Sequence, residues 1–129
     1  MNDIQVPISP GELLDKITIL RIKARRIHDP QKLANVRREL DALEGTWNRT
    51  GVADAAVDAD IDALLQVNER LWVIEDDIRD KERARAFDAE FIRLARAVYV
   101  ENDERAAIKR RINVKLGSAL IEEKSYAAY

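Results

Sequence analysis

Helices that should be apolar along one stripe carry polar residues inside that stripe, and these are the residues whose types and spacing could do chemistry. Positions 61, 64, 68, 71, 75, 78 and 82 share one helical face, which sets Asn68 and Glu75 among Ile61, Leu64, Leu71 and Ile78. Further on, Phe91, Leu94 and Val98 are followed at the same spacing by Asn102 and Arg105, then by Ile108, Ile112 and Leu116. Folding the two stretches back through a turn near residue 86 brings Asn68 level with about position 104 and Glu75 level with about position 97. Arg96 or Arg93 is then the expected partner of Glu75, Arg105 that of Asn68, and Lys109 stands at the rim. A buried charge costs several kcal/mol unless it is paired, so this set is either a polar layer that fixes register or the wall of a pocket for a small anionic ligand.

Other chemistry is scarce. The 129 residues contain no cysteine and one histidine, which removes thiol nucleophiles, disulfide frameworks and zinc ribbons. Thr18, Ser118 and Ser125 have no histidine close in sequence to activate them, and no phosphate-loop glycine pattern is present. The run from Glu75 to Glu82 is acidic enough to suggest a metal site. Consecutive helical carboxylates point in different directions, however, and Glu75 to Arg79 and Asp77 to Lys81 are favourable pairs four residues apart. No metal and no cofactor are expected.

Basic residues concentrate in two stretches, residues 16–38 and 105–115. They either meet as an anion-binding surface or bridge to the acidic segments 54–62 and 75–82. With 22 basic against 24 acidic side chains the net charge is −2, and aromatic residues are 5% of the chain, so neither field nor stacking platform favours nucleic acid. MNDIQVPIS has neither the basic nor the apolar region of a secretory signal, and no apolar run reaches the roughly 18 residues of a membrane span. A cytoplasmic protein without membrane contact is expected.

The elements that must position these residues can be read from start and stop signals. A composition with 47% hydrophobic, 36% charged, 4 Gly and 3 Pro suits a helix-rich single domain of this length. Ser9-Pro10-Gly11-Glu12 combines a cap, a proline at the first helical position and a capping-box acid, and Leu13, Ile17, Leu20, Ala24 and Ile27 follow at helical spacing. The first helix therefore covers about residues 10–27. Asp29-Pro30 starts a second, whose seam of Leu33, Val36, Leu40, Leu43 and Trp47 folds back on the first. Residues 48–59 form the main loop, with Asp58 as cap of a third helix over 58–84. Phe87 and Asp88 are read as staple and cap of a fourth helix from Ala89 to Gly117, with a kink near Asn102-Asp103.

The expected fold is all-α, four main helices arranged as two antiparallel hairpins in a single domain. An extended segment, residues 1–8, precedes them, with Ile4 to Ile8 alternating like a short strand. Residues 118–129 pair with it or form a tail. The third and fourth helices are each about 40 Å long at 1.5 Å per residue, well beyond the first two, and a homodimer is expected to cover the excess.

The blocks ISPGELLDKITILRIK, NERLWVIEDDIRDKE, FDAEFIRLARAVYVENDERAAIKRRIN and GSALIEEKSY together resemble an uncharacterised bacterial family catalogued as a domain of unknown function. The resemblance spans the chain and implies a setting near glycosyltransferase and surface-polysaccharide functions, with no assigned catalytic residue; apart from it, a protein partner or small anionic ligand is expected. A second resemblance is to all-helical chorismate mutases. It rests on Ile61-Asp62-Ala63-Leu64-Leu65 with Arg70, and on Phe87 to Ile92 with Glu101, and lacks that family's middle helix between Lys81 and Phe87. It implies an anionic substrate held between helices by arginines and catalysis by electrostatic positioning. A non-catalytic binding or accessory module is the function expected first, and a small enzyme or binder of this second kind is the alternative.

Overall fold

The computed structural model describes residues 2–129, and the order of elements within them follows from the caps. Helix α1 is Pro10–Arg26, α2 is Pro30–Arg49, a single 3-10 turn spans Asp54–Ala56, α3 is Asp58–Arg83 and α4 is Ala89–Lys115. Ser9, Asp29 and Asp88 each accept a backbone N–H three residues on, as capping side chains do. Asp58 does not cap; α3 begins at that residue, after Val57, which is 1% exposed and anchors the loop in the core. No strand forms among the described residues. The segment before α1 forms no regular element, and residues 118–129 form a tail. Helix α4 runs unbroken through Asn102 and Asp103.

Both ends of the long pair close in the same way. At α4 the N–H of Ser118 donates to the Asn113 carbonyl and that of Gly117 to Val114, with Gly117 left-handed at φ 67°. At α3 the same pair of bonds runs from Ala86 to Lys81 and from Arg85 to Glu82, and Arg85 takes the left-handed position at φ 52° without glycine's freedom. Phe87 packs edge-on against Phe91, ring centroids 5.2 Å apart, and does not staple to Ile92; both Phe87 and Ile92 are 56% exposed.

The two hairpins are unequal partners. Helix α1 packs on α2, α3 and α4, whereas α2 is held chiefly through α1 and buries only Val36 and Trp47. The core gathers Leu13, Leu14 and Ile17 of α1 with Trp47, Val57, Leu64, Val67, Ile108 and Ile112. Because α1 has 17 residues and α3 and α4 have 26 and 27, the far end of the long hairpin extends past it. Arg26, the last residue of α1, lies over the Trp72 ring at 5.9 Å, which marks where that cover stops.

Helices α1 and α4 come very close at Gly11. A methyl group there would sit 2.5 Å from the Lys109 carbonyl oxygen and 2.9 Å from Asn113 Oδ1, so α1 and α4 touch backbone to backbone. The Gly11 N–H, unpaired within its own helix, donates to Asn113 Oδ1 at 2.8 Å, while Ser9 Oγ accepts from Glu12. Gly11→Ala should lower the unfolding free energy by about 1–3 kcal/mol in urea denaturation. Unchanged stability would show that the contact is not a constraint.

Candidate functional site

Helix α1 is buried on two stripes. One is the apolar seam of Leu13, Ile17 and Leu20; the other is Gly11, Asp15, Thr18 and Ile22, spaced four, three and four. The second stripe faces the groove between α3 and α4 and puts a carboxylate in the middle of the protein. Asp15 is fully buried, and Arg105 grips it with Nε on Oδ1 at 2.9 Å and Nη2 on Oδ2 at 2.6 Å. Asn68 Nδ2 donates to the same Oδ1 at 2.9 Å and to Thr18 Oγ1 at 3.1 Å, and Thr18 in turn donates to the Asp15 carbonyl. The hydrogen bonds to Asp15 hold the Arg105 guanidinium above even its usual high range.

One turn further along α4, Lys109 is 7% exposed and lies between Glu12 of α1 at 2.7 Å and Glu122 of the tail at 2.8 Å. Burial pulls its ammonium down, but the hydrogen bonds to Glu12 and Glu122 outweigh this and hold it above its ordinary value. Those bonds explain why Glu12 is no capping-box acid here: its carboxylate turns outward to Lys109. A third cluster closes the base, where Asp60, 3% exposed, accepts from Arg111 at 2.8 Å and Lys115 at 2.6 Å. Burial pushes the Asp60 carboxyl up, and the bonds from Lys115 and Arg111 bring it below its usual range.

Four of the residues singled out by spacing, Asn68, Asn102, Arg105 and Lys109, come together here, with Asn102 Oδ1 accepting from Arg105 at 3.4 Å. Arg105 and Asn68 meet through Asp15 and not directly. Glu75 and Arg96 do not join them. Glu75 pairs with Arg79 on its own helix, Arg96 is exposed with Nε 3.4 Å from the Tyr99 hydroxyl, and Arg93 pairs with Glu90. All lie beyond the end of α1, where no third helix covers the seam and water solvates them. The residues missed are the partners, Glu12, Asp15, Thr18, Asn113, Asp60 and Glu122; the stripe 11–15–18–22 was the signal for two of them.

Half of the first basic stretch and all of the second turn to acids; Lys23, Lys32, Arg37 and Arg38 make no ion pair among the described residues. Arg21 bridges to Glu44, Arg25 and Arg26 to Glu69, and Arg111 and Lys115 to Asp60. Arg70 and Glu101 pair with each other at 3.0 Å at the surface, with Glu104 on the same guanidinium. No group of three His, Cys, Asp or Glu is arranged to hold a metal among the described residues.

Among those residues every buried side-chain nitrogen and oxygen has a partner, so the polar layer is complete in itself. The open space lies elsewhere. A cavity of about 970 Å³ runs between the N-terminal segment, α1 and α2, with Leu13, Leu43 and Trp47 on its floor and Lys16, Arg38 and Glu39 on its rim. A second, of about 440 Å³, lies between α4 and the tail. Arg105→Leu should therefore lower stability by about 3 kcal/mol by stranding the Asp15 carboxylate, as read by chemical denaturation. A variant as stable as the parent would return Arg105 to the role of a ligand-binding group.

No curated protein matches the chain, and neither does any solved structure. No helix is long and apolar enough to cross a membrane among the described residues. One family model does match, described as a family of unknown function (DUF6165), and it covers residues 4–129, nearly the whole chain. The chain, with its central α1 held by a closed polar layer, belongs to that family.

Proposed function

We propose that the chain is a non-catalytic binding or accessory module of the bacterial cytoplasm, whose ligand or partner enters the cleft between the N-terminal segment, α1 and α2. The observation that carries this reading is the completeness of the polar layer. Its buried side-chain nitrogens and oxygens are all partnered within the chain, as in a layer that fixes the register of packed helices. The cleft, by contrast, joins an apolar floor to a charged rim, the composition of a site for an amphipathic ligand. The resemblance to a family found near surface-polysaccharide functions supports an oligosaccharide or its carrier as the first class to try.

Thermal-shift screening against a sugar nucleotide, an acidic oligosaccharide and a dicarboxylate tests this directly. A ligand at 100 times its dissociation constant adds about 2.7 kcal/mol of stability. Ala42 lines the cleft and is exposed, so Ala42→Trp should fill the space, leave the unliganded melting temperature unchanged and abolish the shift. A dicarboxylate shift that survives Ala42→Trp would instead favour an enzyme acting on an anionic metabolite.

A second copy is the partner we propose for the far end of the long hairpin. Val73, Phe87, Ile92 and Val100 are all more than two-fifths exposed there, beyond the reach of α1. Sedimentation should show a dimer at micromolar concentration, and a 14.8 kDa species would remove the proposal.

A further inference from the structure

The C-terminal half of α4 carries five cations, Arg105, Lys109, Arg110, Arg111 and Lys115. The helical body meets them with three carboxylates: Asp15 on Arg105, Glu12 on Lys109, and Asp60 shared by Arg111 and Lys115. Two more come from the tail, Glu122 on Lys109 at 2.8 Å and Glu123 on Arg110 at 3.0 Å. Further along the same helix, the Tyr129 hydroxyl donates to Asp103 at 2.7 Å and its ring lies edge-on to Tyr99, centroids 5.1 Å apart. So α4 presents a cationic stretch seated on α1, where Asp15 holds Arg105 and Glu12 holds Lys109, and one aromatic ring, Tyr99, further along.

The tail fits this surface loosely. Every hydrogen bond from residues 121–129 to the body is made by a side chain. The seven steps of extended chain from Glu122 to Tyr129 reach about 23 Å. The helical rise from Lys109 to Asp103 is only about 9 Å, and to Tyr99 about 15 Å. The surplus bows outward: Tyr126 is 84% exposed, and the 440 Å³ cavity opens beneath the arch. Leu120 and Ile121 stay 47% and 37% exposed, so little apolar surface holds the strap down.

We propose that this face of α4 is a docking site for an extended segment of another protein bearing two successive carboxylates and a following tyrosine, and that residues 119–129 occupy it as a displaceable competitor. Charge complementarity names the chemistry of the occupant, because without the tail Arg110 has no carboxylate and Lys109 keeps only Glu12. A segment whose acidic and aromatic ends are spaced to the helix would bind without the slack of the resident tail. This surface is distinct from the cleft between α1 and α2, and the two proposals stand or fall separately.

The test uses the full chain carrying Glu122→Gln, Glu123→Gln and Tyr129→Ala, which leaves every core residue in place. The probe is a fluorescein-labelled peptide of residues 118–129, followed by polarisation. The open variant should bind it saturably, with an affinity that falls as salt is raised. The parent chain should bind at least about tenfold more weakly, since its own tail competes at high effective concentration. Adding Arg110→Glu and Asp103→Asn, both at exposed positions, should weaken binding by the open variant at least about tenfold without moving its melting temperature. Absence of binding to the open variant, equal binding to both chains, or indifference to Arg110→Glu and Asp103→Asn would each overturn the proposal. A parent dimer that the three tail substitutions convert to monomer would also overturn it, assigning the site to the tail of a second copy.

Discussion

Everything in this fold depends on the docking of one short helix into the groove of a long hairpin, and that docking turns on a buried ion pair beside a glycine. Gly11 lets the α1 and α4 backbones touch, and one turn later Asp15 meets Arg105 in a bidentate pair with Asn68 completing the shell. Move α1 along α4 by one residue and a side chain clashes where the glycine stood, the carboxylate loses its guanidinium and Asn113 loses the N–H of Gly11. A continuous apolar groove would tolerate such sliding; a charged pair in a buried setting does not, because a stranded charge costs several kcal/mol. Register is thus set by polar groups and cohesion by the apolar residues around them.

The remaining parts inherit their places from that contact. Helix α2 packs chiefly on α1, so the cleft beside it exists only because α1 is seated. Lys109 is fixed by Glu12 of α1 before the tail reaches it, so the tail's anchor is also a product of the same docking. Beyond Trp72 there is no α1, and the hairpin continues alone with polar residues in its seam and apolar ones facing outward. The chain is therefore a rigid base with three peripheral surfaces: a cleft, a tail-covered helix face and a projecting hairpin end.

Charge is organised on the same plan. Much of the basic charge pairs with carboxylates of the same chain, Glu44 and Glu69 at the surface and Asp60, Glu12 and Asp15 within, while Lys23, Lys32, Arg37 and Arg38 make no ion pair among the described residues. A near-neutral total of this kind hides strong local pairing, in which buried cations are held in their charged state by the carboxylates they touch. Polar groups arranged so fully toward one another stiffen a structure and leave little chemistry over. Binding then falls to the periphery.

How much of this was legible in the chain differs by kind of interaction. Local signals were enough for the helices, because a cap such as Ser9, Asp29 or Asp88 acts within three residues and an apolar seam repeats within one turn. They were also enough to flag Asn68, Asn102, Arg105 and Lys109, since a polar residue on an apolar stripe is out of place wherever it stands. They misplaced Glu75 and Arg96, whose stripe looks the same in sequence but runs past the end of α1 into water. They did not show the partners either: Asp15 reaches Arg105 across 90 positions and Glu12 reaches Lys109 across still more, and no periodicity within one helix encodes which other helix it will face. Spacing along the chain determines which side of a helix a residue lies on. What covers that side, and so whether a charge there becomes a buried pair, a surface contact or a place for a partner, was decided only when α1 was packed against the long hairpin.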